Sequence, residues 1–217
     1  MAEVVRVRAI QKKYNGKLIL DIEEFDLLSG EIVTISGLNG AGKSTLLKII
    51  GLLEKPDKGS GFLEIFGQRP VLKNRLNLRR KLVVVSQTPF MFRTDVFSNI
   101  ALGLKWRKLD RKVIEKRVLE AADLFEIDYL EQSATTLSRG QMQRVAFARA
   151  LALKSDVFLL DEPLNALDNE IKDRLLSKLK KVLTKEGSSA IYVSHSREDV
   201  DLISDRQLVL SEGRFIS

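Results

Sequence analysis

A glycine-rich loop is the feature that most constrains the fold of this chain. The segment GLNGAGKST occupies residues 37–45 and follows the β-rich run EIVTIS at residues 31–36. Residues 44–53 then have the apolar spacing of a helix. A strand that enters a helix through such a loop is typical of phosphate sites, because glycines let backbone N–H groups turn toward an anion. The pattern predicts an α/β protein with a phosphate site at a helix N-terminus.

The positions of this loop have distinct expected roles. Lys43 is placed to reach the β- and γ-phosphates of a nucleotide, and the Ser44 hydroxyl is placed to ligate Mg²⁺. A glycine-rich turn without a ligand is the alternative, which the flanking strand and helix disfavour. The expected nucleotide-binding residues are Gly37, Leu38, Asn39, Gly40, Ala41, Gly42, Lys43, Ser44 and Thr45.

Two adjacent acids follow a second apolar segment. DVFLLDEP at residues 156–163 predicts a buried strand that ends at Asp161 and Glu162. Ligands of open α/β sheets lie at the carboxyl ends of the strands. We therefore expect Asp161 to hold Mg²⁺ and Glu162 to activate water as general base. The alternative, mere surface charge, fits poorly with the apolar run that precedes the two acids.

Two more polar residues follow strand-like segments. His195, the one histidine of the chain, ends SAIYVSH, and Gln87 follows KLVVVS. A lone histidine is more often structural, but this one would point into the same crevice as Glu162. A neutral imidazole there can donate to a γ-phosphate or to the attacking water, and Gln87 can bind Mg²⁺ or water.

The remaining pattern sets the expected architecture. Strands alternating with helices predict a mostly parallel sheet covered on both faces. We predict further strands at residues 3–10, 17–28, 63–67 and 81–86, helix throughout 95–154, a helix at 169–185 and a hairpin at 206–214. The first two strands, joined by an Asn15-Gly16 turn, form an antiparallel β subdomain, and the helical block is an inserted subdomain.

Composition excludes several classes. Without cysteine there is no disulfide framework and no thiolate metal site. No apolar run approaches the 18 or so residues of a membrane span, and the N-terminus lacks a signal core, so any membrane role requires a partner. The net charge is +7, with basic clusters at residues 69–81 and 105–117. These could meet nucleic acid or an anionic membrane, but the acids among them favour a solvated helix face.

A further motif resembles a known family. LSRGQMQR at residues 137–144 resembles the signature motif of ATP-binding cassette (ABC) ATPases. Residues 37–45 then resemble the Walker A motif of that family, and Glu162 resembles the end of its Walker B strand. Gln87 resembles the glutamine loop, and NALD at 165–168 resembles the D-loop. His195 resembles the switch histidine, and Tyr14 resembles the aromatic residue that stacks on adenine. The motifs occur in the family's order and cover nearly the whole chain.

The resemblance implies a P-loop NTPase core and a single ABC ATPase domain over residues 1–217, with the helical subdomain at about 90–154. It also implies that two chains clamp ATP head to tail, so we expect an ATP-bound homodimer or a pair with a similar subunit. The signature residues of one chain, Ser138, Arg139, Gly140 and Gln141, would then contact the nucleotide of the other. Two departures are Arg139, where glycine is usual, and Asn165, where serine is usual; neither replaces Lys43, Asp161, Glu162 or His195.

The implied function is the ATP-hydrolysing subunit of an ABC transporter, located at the cytoplasmic side of the membrane. Residues 87–104 resemble those of importer ATPases, which implies a transmembrane permease subunit and a solute-binding protein as partners. Phe90, Met91 and Phe92 would contact the permease or pack inside the helical subdomain. Because the sequence stops at Ser217, we expect no C-terminal regulatory domain.

Two other functions are weighed against this one. A soluble ABC ATPase that acts on nucleic acid, ribosomes or cofactor assembly is the main alternative, which the basic clusters support. The ordinary spacing between the Walker A and signature motifs, without heptads, argues against the DNA-repair type, and we expect no direct nucleic-acid contact. A single-site P-loop kinase or GTPase is disfavoured by the signature motif.

Overall fold

The computed structural model describes residues 2–216, a range that contains nine β-strands and seven α-helices. The strands are β1 (Glu3–Tyr14), β2 (Lys17–Leu28), β3 (Ile32–Ser36), β4 (Phe62–Ile65), β5 (Leu82–Val85), β6 (Val157–Asp161), β7 (Ser189–Val193), β8 (Arg206–Ser211) and β9 (Arg214–Ile216). The helices are α1 (Lys43–Ile50), α2 (Arg75–Lys81), α3 (Val96–Trp106), α4 (Arg111–Leu124), α5 (Arg139–Ala152), α6 (Asn169–Glu186) and α7 (Arg197–Ile203). A short 3-10 helix spans Ala134–Thr136.

The strands form two sheets. Five parallel strands in the order β5-β6-β7-β3-β8 continue into β9, which pairs antiparallel with β8. The strands β2, β1 and β4 form a separate antiparallel sheet. The predicted fold class is confirmed: a mostly parallel α/β core with an N-terminal antiparallel sheet and a helical insertion between β5 and β6.

The central strands are buried on both faces, as is usual for parallel strands. Every residue of β7 is buried, and β3 and β6 are buried except at their last residues, Ser36 and Asp161. Such continuous apolar strands are stable only when helices cover both faces of the sheet. Helix α1 packs with Leu46, Leu47 and Ile50 into the core shared by the two sheets. The start of α1 is therefore held firmly at the carboxyl end of β3.

The helical block is not helical throughout, which corrects the prediction for residues 95–154. The residues between α4 and α5 are irregular apart from the 3-10 helix, and Ser133 of this stretch forms an isolated antiparallel bridge with Asp95, which precedes α3. Side-chain caps define the helix starts, because Asp95 accepts from Ser98 N and Asp110 accepts from Lys112 N. Apolar periodicity alone does not reveal such interruptions.

Helices α2 and α7 were not predicted. Each is seven residues long, so the apolar period repeats too few times to be recognised. Helix α7 begins directly after His195, with Ser196 as its N-cap. Within residues 2–216 no helix has the length and apolar character needed to cross a bilayer.

Candidate active site

The glycine-rich loop joins β3 to α1 and exposes its crown to solvent. Leu38 is 82% exposed, and Asn39 and Gly40 are also exposed. Lys43, by contrast, is 6% exposed, and its ammonium donates to the carbonyl oxygens of Gly37 (2.7 Å) and Leu38 (3.0 Å). Burial lowers the pKa of Lys43, whereas the charges of Glu162 and Asp161 raise it. A poorly hydrated cation inside the loop is prepared to bind an anion.

The loop conformation depends on Gly42, the residue before α1. Its φ of 104° lies in a region that other residues rarely adopt. A Cβ at this position would lie 2.7 Å from the Leu20 side chain and 2.8 Å from the Ile19 carbonyl oxygen. Both the positive φ at this position and the close approach of β2 therefore require glycine.

We expect Gly42→Ala to weaken nucleotide binding and to destabilise the fold by about 1–3 kcal/mol, because it adds backbone strain and a steric clash. Gly187→Ala is the matched control. Gly187 also has a positive φ (66°), but it ends α6 and a Cβ there would have no heavy atom within 4 Å. Equal losses of affinity in both variants, measured by nucleotide titration alongside thermal unfolding, would contradict this account.

Asp161 and Ser44 provide the oxygen atoms of a candidate Mg²⁺ site. Burial raises the pKa of Asp161, and a hydrogen bond from Ser44 and the charge of Lys43 oppose that rise. Mg²⁺ prefers one or two protein oxygen ligands together with water and phosphate oxygens. A carboxylate and a hydroxyl beside the phosphate loop fit this requirement.

Glu162 is the centre of a hydrogen-bond cluster beyond the loop. It is 7% exposed, it has a φ of 45°, and its N–H donates to the carbonyl of Val193 at 3.1 Å. Its carboxylate contacts His195 Nε2 through Oε1 and accepts from Gln87 Nε2 through Oε2 at 2.9 Å. The structure thus brings together three residues from three strand ends, as their positions in the sequence predicted.

Asn165 is a member of this cluster that the sequence pattern does not identify. In the sequence it stands out only as a departure in the D-loop, yet its Nδ2 donates to Glu162 Oε2, the oxygen that Gln87 also contacts. An amide three residues after the carboxylate was the available signal. A serine side chain is shorter, so the departure places a donor on Glu162 that serine would not supply in this geometry.

Tyr14 lies at the end of β1, beside the loop. Its hydroxyl donates to Glu54 Oε1 at 2.5 Å, and the side chain is 39% exposed. Burial raises the pKa of Tyr14, and a hydrogen bond with Thr45 of α1 opposes that rise. An aromatic ring that is partly exposed next to the phosphate loop is available for stacking on a base.

The four signature residues begin α5. The Ser138 hydroxyl accepts from Gln141 N at 3.2 Å, and the Gln141 side chain accepts from Ser138 N at 2.9 Å. Arg139 is exposed, and Gly140 lies against the D-loop, where a Cβ would be 2.9 Å from Leu167. The capping box fixes this helix start at the surface and occupies the N–H groups of Ser138 and Gln141, so that the N–H groups of Arg139 and Gly140 are the ones left for a partner.

A groove of about 700 Å³ lies beside the glutamine loop, between β5, α3 and α5. Its walls include the exposed rings of Phe90 (70%), Phe92 (37%) and Trp106 (68%). Met91 instead packs against the core of the helical block. Of the three residues, Met91 therefore packs inside the helical subdomain, whereas Phe90 and Phe92 stay exposed, and their contact with a permease remains a prediction.

Comparisons with known proteins place the chain in a family. A family model described as ABC transporter matches residues 20–165, which is more than half of the chain. The chain belongs to the ABC transporter family. The resemblance drawn from the signature motif is thereby confirmed.

Individual relatives support this assignment. The chain is 35% identical to two spermidine/putrescine import ATP-binding proteins named PotA. The match covers 97% of this chain for the protein from Mesoplasma florum and 98% for the one from Desulfitobacterium hafniense. The chain spans 59% and 60% of their respective lengths.

Two solved structures are also similar. CbiO1 from Clostridium perfringens, part of the ABC transporter complex CbiONQ, has a TM-score of 0.87 at 29% identity, covering 99% of this chain and 87% of its own. The ATP-binding cassette MJ0796, in a dimeric post-hydrolysis state with ADP and Pi, has a TM-score of 0.89 at 28% identity. The match covers 98% of this chain and 97% of the MJ0796 chain.

Proposed function

We propose that this chain is the ATP-hydrolysing subunit of an ABC transporter, and that it couples ATP binding and hydrolysis to solute import through a separate membrane subunit. The observation that carries the proposal is the meeting of Glu162, Gln87 and His195 beyond a phosphate loop that holds Lys43. The import names of the PotA relatives support the direction of transport. The test is release of phosphate from Mg-ATP by the purified chain.

The residues divide the reaction between them. The loop N–H groups and Lys43 bind the phosphates, and Tyr14 stacks on the adenine. Ser44, Asp161 and Gln87 would hold Mg²⁺, which would neutralise charge on the phosphate oxygens. Glu162 takes a proton from the attacking water, while His195 and Gln87 orient that water and the γ-phosphate. The catalytic residues are thus Glu162, His195, Lys43 and Gln87.

We propose that two copies of the chain close on ATP. Ser138, Arg139, Gly140 and Gln141 sit at an exposed helix start, which suits a phosphate supplied by a second chain. Closure requires the γ-phosphate to contact both chains, so the pair reopens once the phosphate has been cleaved and released. The dimeric state recorded for MJ0796 with ADP and Pi supports such an arrangement.

The groove beside the glutamine loop is the proposed contact with the permease. Four arginines line it (Arg79, Arg80, Arg107 and Arg149), and no acidic residue is among the lining residues described. Arg149 donates to the Phe90 carbonyl at 2.8 Å, and burial lowers its pKa. A short permease helix with an apolar face and an acidic residue would match this chemistry.

We expect Arg149→Glu to reduce recovery of the permease at least tenfold in affinity purification from native membranes, because it reverses a partly buried charge in the groove. Lys112→Glu is the matched control, since Lys112 lies exposed at the start of α4. Similar losses in both variants would indicate a general effect of net charge and would count against the groove.

The same purification tests the proposal as a whole. A co-purifying polytopic membrane protein with a solute-binding protein supports import at the cytoplasmic side of the membrane. Recovery with ribosomes, DNA or assembly factors would overturn the transporter proposal. The identity of the solute depends on those partners, because specificity lies in the sites that contact it.

A further inference from the structure

A buried ion pair lies beneath the loop that carries His195. Lys172 and Asp199 are 8% and 1% exposed, and Lys172 Nζ is 2.6 Å from Asp199 Oδ1. Lys172 belongs to the first turns of α6, directly after the D-loop, and its N–H donates to the Asp168 carbonyl at 2.9 Å. Asp199 belongs to α7, directly after His195. The pair therefore joins the two segments that follow Asn165 and His195.

The other oxygen of Asp199 is connected to the histidine loop. Ser194 Oγ donates to Asp199 Oδ2 at 2.8 Å, and Ser196 N donates to Ser194 Oγ at 3.0 Å. Ser194 and Ser196, the two neighbours of His195 in sequence, are thus both held by contacts that lead to the Asp199 carboxylate. Ser194 is 1% exposed, whereas the His195 side chain, in contact with Glu162, is 38% exposed.

These contacts close a ring around Glu162. Its carboxylate contacts His195 on one side and Asn165 on the other, and the ion pair connects the segments behind those two residues. Stability alone is a poor explanation for the pair, because a buried ion pair often contributes no more than apolar residues of the same volume. Fixing the geometry of a site is a better-suited role for a buried ion pair whose carboxylate also accepts a hydrogen bond from Ser194.

We infer that Lys172 and Asp199 are positioning residues, which hold His195 in line with Glu162 and connect its loop to the D-loop. This inference rests on the proposed ATPase function. Lys172 fixes the Asp199 carboxylate, Asp199 fixes the Ser194 hydroxyl, and Ser194 fixes the backbone on which the imidazole is carried.

Ser194→Ala tests the connection without leaving a buried charge unpaired. We expect it to lower the kcat for ATP hydrolysis about tenfold while the KM for ATP changes less than about twofold. The substitution removes both hydrogen bonds of the Ser194 hydroxyl, one to the Asp199 carboxylate and one from Ser196 N, but leaves the phosphate loop intact. Tyr192→Phe is the matched control. The Tyr192 hydroxyl contacts the same Asp199 oxygen at 3.4 Å, but from within β7, and its removal should leave kcat within about twofold.

A double-mutant cycle with His195 separates a positioning role of these residues from a purely structural one. In a His195→Ala background, Ser194→Ala should cause no further loss of kcat, because its effect passes through the histidine. Lys172→Arg should retain kcat, and Lys172→Met should lose it. A full additional loss in the His195→Ala background, or equal kcat for the Ser194→Ala and Tyr192→Phe proteins, would overturn the inference. Absence of ATP hydrolysis in the unaltered chain would instead overturn the proposed function.

Discussion

Replacing Glu162 with glutamine is expected to lower the kcat for ATP hydrolysis by a factor of about 10²–10⁴, the usual contribution of a general base. Glutamine is close to isosteric, and its carbonyl oxygen can still accept from Gln87 or His195. It lacks, however, the basicity to take a proton from water. Affinity for Mg-ATP should persist, because the phosphate loop and Asp161 are unchanged. Phosphate release and nucleotide titration measure the two quantities separately.

The Glu162→Gln variant is also expected to accumulate as the closed dimer. Since hydrolysis no longer removes the γ-phosphate, Glu162→Gln should shift from monomer to dimer in size-exclusion chromatography when Mg-ATP is added. Glu115→Gln, at an exposed position of α4, is the matched control and should hydrolyse ATP normally. A monomer under both conditions would count strongly against the proposed clamp, and retained turnover would remove Glu162 from its role.

Replacing Lys43 with alanine has the second-largest expected effect, a loss of ATP affinity of about 100-fold or more, from charge-assisted hydrogen bonds of about 1.5–3 kcal/mol each. Lys43 is 6% exposed, and burial lowers its pKa, so the phosphates would receive a cation that water barely solvates. Its present acceptors are the carbonyls of Gly37 and Leu38, which phosphate oxygens can replace.

Stability distinguishes this loss from misfolding. Removing a buried ammonium also removes the cost of its burial, so the free energy of unfolding should change little. Lys48→Ala is the matched control, because Lys48 lies on α1 but is exposed. If affinity for ATP, measured with a fluorescent nucleotide, fell equally in both variants, the specific role of Lys43 would be excluded.

Chemistry-bearing positions could be recognised in the sequence because local rules fix them. A glycine loop between a strand and a helix has one common geometry, and polar residues that end parallel strands share one edge of the sheet. Those two rules were enough to group Lys43, Asp161, Glu162, His195 and Gln87. The fold class followed from the same alternation of strands and helices.

Helix boundaries were harder to predict from the sequence, because they depend on capping side chains rather than on the spacing of apolar residues. The block at residues 95–154 is divided where Asp95 and Asp110 cap new helices. Helix α7 was hidden because a seven-residue segment after a buried strand carries little periodic signal.

The sequence by itself determined which residues could do chemistry and that they would meet at one edge of a parallel sheet. Only the tertiary structure decided how they are held: Asn165 on Glu162, Lys172 on Asp199, and Met91 inward while Phe90 faces the groove. The reason is physical. Which strand ends share an edge follows from the direction of the chain, whereas side-chain contacts depend on burial and packing between segments distant in sequence.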